Sequence, residues 1–180
     1  MTGVQTCALP ICVSPEQAGG KSDKDNGNGS LMRIAPLVFY TADKPIKERF
    51  EITKQVSSIT HAHIRSVIAC FYYLEFARLL LAGKDKFEAY CELQSVLPSF
   101  LYSLKVDSIE INLFDRLFKG NIYELPENEI ESSGYVIHTL EASIWCLLTT
   151  NNYKEAVLKA VNLGRSEEHT SELQSRITIS

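Results

Sequence analysis

Residues 60–83, THAHIRSVIACFYYLEFARLLLAG, carry the strongest periodic pattern in the sequence. Apolar residues recur there mostly at spacings of three and four, which places them on one face of an α-helix. Thr60 is positioned to cap the start of such a helix, and Gly83 is positioned to end it. The stretch therefore predicts a long core helix, built on Ile64, Val67, Ile68, Phe71, Leu74, Ala77 and Leu81.

Similar patterns flank this helix, whereas residues 12–29 are rich in Gly, Ser, Asn, Asp and Lys and are predicted to form a loop. Helical spacing recurs over 85–97, where Pro98 is expected to end or kink the helix. It returns at Phe114, Leu117 and Phe118, at Tyr135, Ile137, Leu140, Ile144 and Leu147, and at Tyr153, Ala156, Val157 and Ala160. Five or six helices without strand-like alternation or an internal repeat predict a compact all-α domain.

Composition and charge exclude several classes of protein. The net charge is −4 and no basic face is visible, so we expect no nucleic-acid partner. No apolar run approaches the roughly 20 residues that span a bilayer, so we expect no membrane partner. Cys70, Cys91 and Cys146 each lie among apolar residues. This pattern predicts buried, reduced thiols and a cytoplasmic location.

Both ends of the chain have an unusual origin in our interpretation. Residues 165–175, RSEEHTSELQS, match codon for codon the translation of a widely used sequencing adapter, and the reverse complement of that DNA encodes residues 1–11. We therefore expect residues 1–12 and 165–180 to be non-native and residues 13–164 to be a partial domain. The apparent metal cluster around His169 then carries no functional meaning.

Residues 26–37, NGNGSLMRIAPL, form the most informative polar motif. The glycines allow close approach of a ligand to the backbone, while the Asn28 amide and the Ser30 hydroxyl can donate to ribose or phosphate oxygens. An ordinary Asn-Gly turn is the alternative interpretation, because short glycine-rich motifs are common.

Three further blocks agree with this motif in order and distance: SSITHAHIRS at 57–66, SGYVIHTLEASIWCLL at 133–148 and YKEAVLKAVNLG at 153–164. Together the four blocks resemble the ADP-ribosylglycohydrolase family. The resemblance implies an all-α domain of that family's type, here incomplete. It also implies a hydrolase that removes ADP-ribose from modified protein side chains or related ADP-ribosyl conjugates. A non-catalytic structural or ADP-ribose-binding member of the same fold is the alternative.

The family resemblance also implies two Mg²⁺ or Mn²⁺ ions. Family members hold them with an N-terminal Thr-Asp-Asp run and a C-terminal Asp-Thr-Asp-Thr run, and neither run occurs in this sequence. We therefore predict no metal ligand and no catalytic residue among the residues present. The chain is expected to be an inactive fragment whose partner would be an ADP-ribosylated protein or a small ADP-ribosyl conjugate.

By resemblance, the ADP-ribose cleft is lined by Gly27, Asn28, Gly29, Ser30, His61 and Tyr135. His61 is expected to contact a phosphate, although a histidine that merely caps a helix has the same pattern. Tyr135 is expected to stack on adenine, and a core tyrosine is the alternative.

Of the remaining polar candidates, Arg33 has two open interpretations and the others are assigned to structure. Arg33 either pairs with phosphate or braces the loop against a carboxylate. His63 has no carboxylate or cysteine at ligand spacing nearby in the sequence, so we interpret it as structural. His138 and Glu141 are three residues apart on one helical face and are given the same interpretation.

Overall fold

The computed structural model describes residues 14–15 and 18–163. The predicted non-native ends, residues 1–12 and 165–180, lie outside the described residues. The described residues form nine α-helices and no strand, which confirms the all-α prediction. The helices are α1 (Gly29–Arg33), α2 (Leu37–Thr41), α3 (Ile46–Ser58), α4 (Ile64–Leu81), α5 (Lys86–Ser103), α6 (Ser108–Asn112), α7 (Asp115–Phe118), α8 (Val136–Leu148) and α9 (Tyr153–Leu163).

The helix predicted from residues 60–83 is α4, and it lies at the centre of the fold. It packs against α1, α2, α3, α5 and α8. Residues 66–72 are buried without interruption, so the helix is enclosed on all sides there and not only along one apolar stripe. Gly83 ends it as predicted, in the left-handed region with φ 85°.

The start of α4 differs from the prediction. The N-cap is His63, whose Nδ1 accepts a hydrogen bond from the backbone N–H of Arg65 at 3.3 Å. Thr60 lies three residues earlier, where Gly20 N–H donates to its carbonyl at 3.3 Å. The helix begins later because the backbone of residues 60–62 pairs with Gly20, whose N–H donates to Thr60 and whose carbonyl accepts from Ala62 N–H at 2.8 Å.

Pro98 does not end the helix that contains it. α5 continues from Lys86 to Ser103 because Leu97 and Leu101, on either side of the proline, are both almost completely buried. Proline costs a helix one backbone hydrogen bond. The continued burial of apolar surface on both sides compensates for that loss.

Helix α3 is not predicted from the sequence, because its stretch IKERFEITKQVSS has few apolar residues. It is held against α4 by an ion pair. The Arg49 guanidinium forms two hydrogen bonds with the buried Glu75 carboxylate, at 2.5 and 2.7 Å, and Arg78 adds a third contact at 3.0 Å. Phe50 completes the interface by packing edge-on against Phe71.

The C-terminal helices α8 and α9 pack together, and α8 also packs on α4 and α5. The Trp145 indole donates to the Leu125 carbonyl at 3.0 Å, and the Lys159 ammonium lies 3.6 Å from the centre of the Trp145 ring. The Lys159 contact joins α9 to α8, and the Leu125 contact holds α8 against the preceding loop.

Two expectations from composition have different outcomes. Cys70 and Cys146 are buried as predicted, but Cys91 is exposed on α5, so the prediction of three buried thiols was wrong for that residue. Its apolar neighbours in sequence lie on other faces of the helix. No helix in the described part of the chain has the length and apolar character needed to cross a membrane.

Candidate functional site

The predicted site residues are brought together by two isolated bridges between loops. Gly20 pairs with His61, and Gly27 pairs with Tyr135. The second bridge is closed by Asn28 N–H donating to the Gly134 carbonyl at 3.0 Å and by Val136 N–H donating to the Asn26 carbonyl at 2.9 Å. Residues far apart in the sequence therefore form one continuous surface from 26–30 through 61 to 135.

Burial alternates along the glycine-rich loop. Gly27 and Gly29 are partly open to solvent, whereas Asn26, Asn28 and Ser30 are buried. The His61 ring lies beside the two glycines. A methyl group on Gly29 would come within 2.9 Å of His61 Cε1, and one on Gly27 within 3.4 Å of His61 Nε2. The loop therefore requires glycine at position 29 for the imidazole to lie where it does.

The polar side chains of this loop face the protein interior. The Asn28 side-chain amide donates to the Thr139 hydroxyl at 3.1 Å, and Ser66 Oγ donates to Asn26 Oδ1 at 3.2 Å. Ser30 is completely buried and lies 3.4 Å from the Cys70 sulfur. These contacts shape the loop from behind, and the backbone at Gly27 and Gly29 forms its outer face.

Arg33 braces the loop through backbone carbonyls. Its guanidinium donates to Gly29 O and Val56 O, both at 3.2 Å. Burial lowers the pKa of His61, and the positive charge of Arg33 lowers it further. The neighbouring Asp25 carboxylate opposes this effect. His61 is therefore neutral near pH 7 and lies in a locally positive environment.

Tyr135 occupies the N-cap position of α8 and is half-buried. Its ring packs edge-on against His138 with 4.9 Å between ring centres. Burial raises the pKa of its hydroxyl, while the charge of Arg65 and a hydrogen bond from it act in the opposite direction. Arg65 thus acts on the Tyr135 hydroxyl, and His138 packs against the Tyr135 ring.

Arg65 is the centre of a charged cluster behind Tyr135. Its guanidinium donates twice to Glu110, at 2.6 and 2.8 Å, and lies 3.4 Å from Asp23. His63 Nε2 lies 3.1 Å from the same Asp23 oxygen. Sequence spacing missed the carboxylates near His63, because they come from a turn 40 residues earlier and a helix 47 residues later.

The family resemblance implies metal ions, and Asp23, His63 and Glu110 are the described residues closest to a ligand set, with one donor atom each within 4.8 Å of the others. The set does not fit a divalent cation as it stands. Both oxygens of Glu110 accept from Arg65, and because His63 Nδ1 accepts from the Arg65 backbone N–H in the helix cap, the Nε2 that faces Asp23 carries the proton of the neutral ring. The Arg65 guanidinium already neutralises the carboxylates that a cation would need.

A cavity of about 280 Å³ is lined in part by Tyr135. His138 and Glu141 line it together with Arg116. Burial raises the pKa of Glu141 to about 7, and the Arg116 guanidinium, 3.5 Å away, only partly offsets this rise. Ser133 and Glu131 both contact His138 Nδ1, at 2.8 and 3.3 Å.

Comparison with known proteins identifies the family. A model of the ADP-ribosylglycohydrolase family matches residues 2–171. An ADP-ribosylarginine hydrolase Tri1 of Pseudomonas putida (strain GB-1) is 33% identical over 138 residues, which is 77% of this chain and 33% of the relative. The protein of the same name from Serratia proteamaculans (strain 568) is 31% identical over 146 residues, 81% of this chain and 36% of the relative. The chain thus spans about a third of the length of these relatives, and it belongs to the ADP-ribosylglycohydrolase family.

Proposed function

We propose that the surface formed by residues 26–30, His61 and Tyr135 binds ADP-ribose, and that the chain is the ligand-binding part of a hydrolase acting on ADP-ribosylarginine in proteins. The observation that carries the proposal is the His61 ring lying against Gly27 and Gly29 beside the positive charge of Arg33. A diphosphate needs this combination of open backbone, a hydrogen-bond donor and positive potential.

The role of His61 follows from its hydrogen bond to Thr60. Thr60 Oγ1 lies 2.7 Å from His61 Nδ1. With the hydroxyl as donor, Nδ1 is the acceptor and Nε2 carries the proton of the neutral ring. Because Nε2 is the atom that faces Gly27, it can donate to a phosphate oxygen held above the two glycines.

The other site residues divide into two roles. Tyr135 offers a half-buried ring for stacking on adenine, next to the loop and paired with it through Gly27. Asn28 and Ser30 act from behind, because the Asn28 amide is used by Thr139 and Ser30 is buried. Their part in binding is to maintain the loop conformation.

The bond to be cleaved joins the ribose to a guanidinium nitrogen of arginine, as the names of the two relatives indicate. Cleavage requires stabilisation of an oxocarbenium-like transition state and activation of water. The described residues offer no ligand set that fits the implied Mg²⁺ or Mn²⁺ ions. We therefore propose that this chain binds ADP-ribose without hydrolysing its conjugates.

The test is calorimetric titration of the purified 180-residue chain with ADP-ribose. We expect binding by the wild type and a loss of about tenfold in affinity for His61→Ala, the effect of removing one hydrogen bond to a charged group. Lys154→Ala, an exposed change on α9, is the matched control and should bind as the wild type does. Absence of binding by the wild type, or unchanged affinity of a folded His61→Ala protein, would contradict the proposal.

Turnover is measured separately with an ADP-ribosylarginine peptide and millimolar Mg²⁺ or Mn²⁺. Release of ADP-ribose is followed chromatographically, and the full-length Serratia relative serves as positive control. We expect no release by this chain. Metal-dependent release that survives removal of host hydrolases would show that the catalytic groups are present after all.

A further inference from the structure

We propose that Arg65 is a positioning residue for ADP-ribose binding, which holds Tyr135 and the glycine-rich loop in register from behind the site. The inference rests on the proposed function for its ligand. Its structural part is independent of that function, because it states which contacts keep two loops together.

Arg65, in the first turn of α4, acts on three other segments around the site. Its two hydrogen bonds to Glu110 reach α6, and its contact with Asp23 reaches the turn that precedes the glycine-rich loop. Its positive charge acts on the Tyr135 hydroxyl at the start of α8. Arg65 itself lies in the first turn of α4, four residues after His61.

His63 extends the same connection. Its Nδ1 accepts from the Arg65 backbone N–H, so in the neutral ring the proton lies on Nε2 and is donated to Asp23 Oδ1 at 3.1 Å. Asp23 is thereby fixed from two directions, by an imidazole and by a guanidinium. The chain from Asp23 into Gly27 consequently has a defined starting point relative to His61.

The consequence for the ligand comes through the bridge between Gly27 and Tyr135. Asn28 N–H and Val136 N–H close this bridge with only two hydrogen bonds, at 3.0 and 2.9 Å. Such a short pairing is not stable by itself. Arg65 lies 3.4 Å from Asp23 before the loop, and its charge acts on the Tyr135 hydroxyl after it.

An arginine is specifically required in this arrangement. Its planar fork donates to both oxygens of Glu110 while the same guanidinium lies 3.4 Å from Asp23. A lysine ammonium has the same charge but cannot make the paired contact with Glu110 and extend to Asp23 at the same time. Arg65→Lys therefore keeps the positive charge but removes the paired contact, and it carries little risk to folding.

The first experiment is a double-mutant cycle on ADP-ribose affinity, measured by calorimetry. We expect Arg65→Lys and Tyr135→Phe each to weaken binding about fivefold, and the double variant to be no weaker than either single variant, because both remove the same contact. Arg78→Lys is the matched control: Arg78 lies on the same helix and pairs with Glu75, away from the site, so affinity should be unchanged. Additive losses, or wild-type affinity of Arg65→Lys, would overturn the inference.

The second experiment does not need a ligand. Hydrogen exchange of the Asn28 and Val136 amides is followed by NMR in the wild type and in Arg65→Lys, with the Leu93 amide within α5 as internal reference. We expect exchange of the first two to accelerate about fivefold or more while Leu93 is unchanged. If the wild type fails to bind ADP-ribose but exchange accelerates, the proposed ligand is wrong and the positioning role stands. If exchange is unaffected, the positioning role is wrong whatever the ligand.

Discussion

The His61 imidazole lies against Gly29 so closely that a methyl group on the glycine would approach His61 Cε1 to 2.9 Å. The neighbouring Gly27 is less tightly packed, because a methyl group there would lie 3.4 Å from His61 Nε2. Two glycines in one loop are thus distinguished by their distance from the same ring. This difference provides a matched pair of substitutions.

We expect Gly29→Ala to displace the imidazole and to weaken ADP-ribose binding about tenfold, as the loss of one charge-assisted hydrogen bond would. Gly27→Ala introduces only an ordinary van der Waals contact with the ring, so the His61 Hε1 resonance should stay at its wild-type position in NMR spectra. Calorimetry gives the affinities. An equal shift of that resonance in both variants would contradict the assigned ring position.

The pH dependence of binding provides a second prediction. The pKa of His61 lies below 6.5 in the free protein because of burial and Arg33. A bound diphosphate favours the protonated ring and raises that pKa. Affinity should therefore be highest below the free-protein pKa, fall as pH rises through the window between the two values, and level off above it. His61→Asn should remove this dependence, which calorimetry from pH 5 to pH 8 would measure.

Glu141 gives a stability prediction. Its pKa is raised from 4.5 to about 7, so the folded state binds this proton more tightly than the unfolded state. The contribution to stability is complete below about pH 4.5 and is lost as pH rises through 7. Glu141→Gln should increase the free energy of unfolding at pH 8 by about 2 kcal/mol and change it little at pH 5.

Urea denaturation of Glu141→Gln at both pH values measures this difference. Glu131→Gln is the control, because that carboxylate also lies near His138 but is exposed. A Glu141→Gln protein less stable than the wild type at pH 8 would mean that the ion pair with Arg116 outweighs the burial of the carboxylate.

The ion pair between α3 and α4 gives the last prediction. Arg49→Met leaves the buried Glu75 carboxylate with Arg78 alone and should lower the free energy of unfolding by about 3 kcal/mol. Lys119→Ala breaks an exposed pair with Asp115 and should cost less than about 0.5 kcal/mol. Chemical denaturation of both variants tests the difference. Equal costs would show that burial of Glu75 has no energetic consequence.

How far the sequence predicts this molecule depends on whether a feature is local. The 3.6-residue periodicity of apolar residues predicted α4, α5, α8 and α9, and Gly83 ends α4 as expected. Helix α3 escaped prediction because its stability depends on the contact between Arg49 and Glu75, 26 residues apart.

For the site, too, the features that could be predicted are those that depend on residues close in sequence. The loop motif pointed to Gly27 and Gly29, the family resemblance pointed to His61, and the structure brings the three together. The role of Arg65 could not be predicted, because its partners Asp23 and Glu110 are remote in sequence and ordinary in type. The inward direction of the Asn28 amide could not be predicted either, because it depends on the hydrogen bond to Thr139.

The unbroken burial of residues 66–72 in α4 has a consequence for how this protein tolerates change. On a helix with one buried face, a saturation-mutagenesis scan gives sensitive positions every three or four residues, separated by permissive ones. Here every position from Ser66 to Tyr72 meets packed atoms, and even Ala69 has no exposed surface. The scan should therefore show a solid block of seven intolerant positions, a signature usually associated with transmembrane helices and found here in a helix enclosed by other helices.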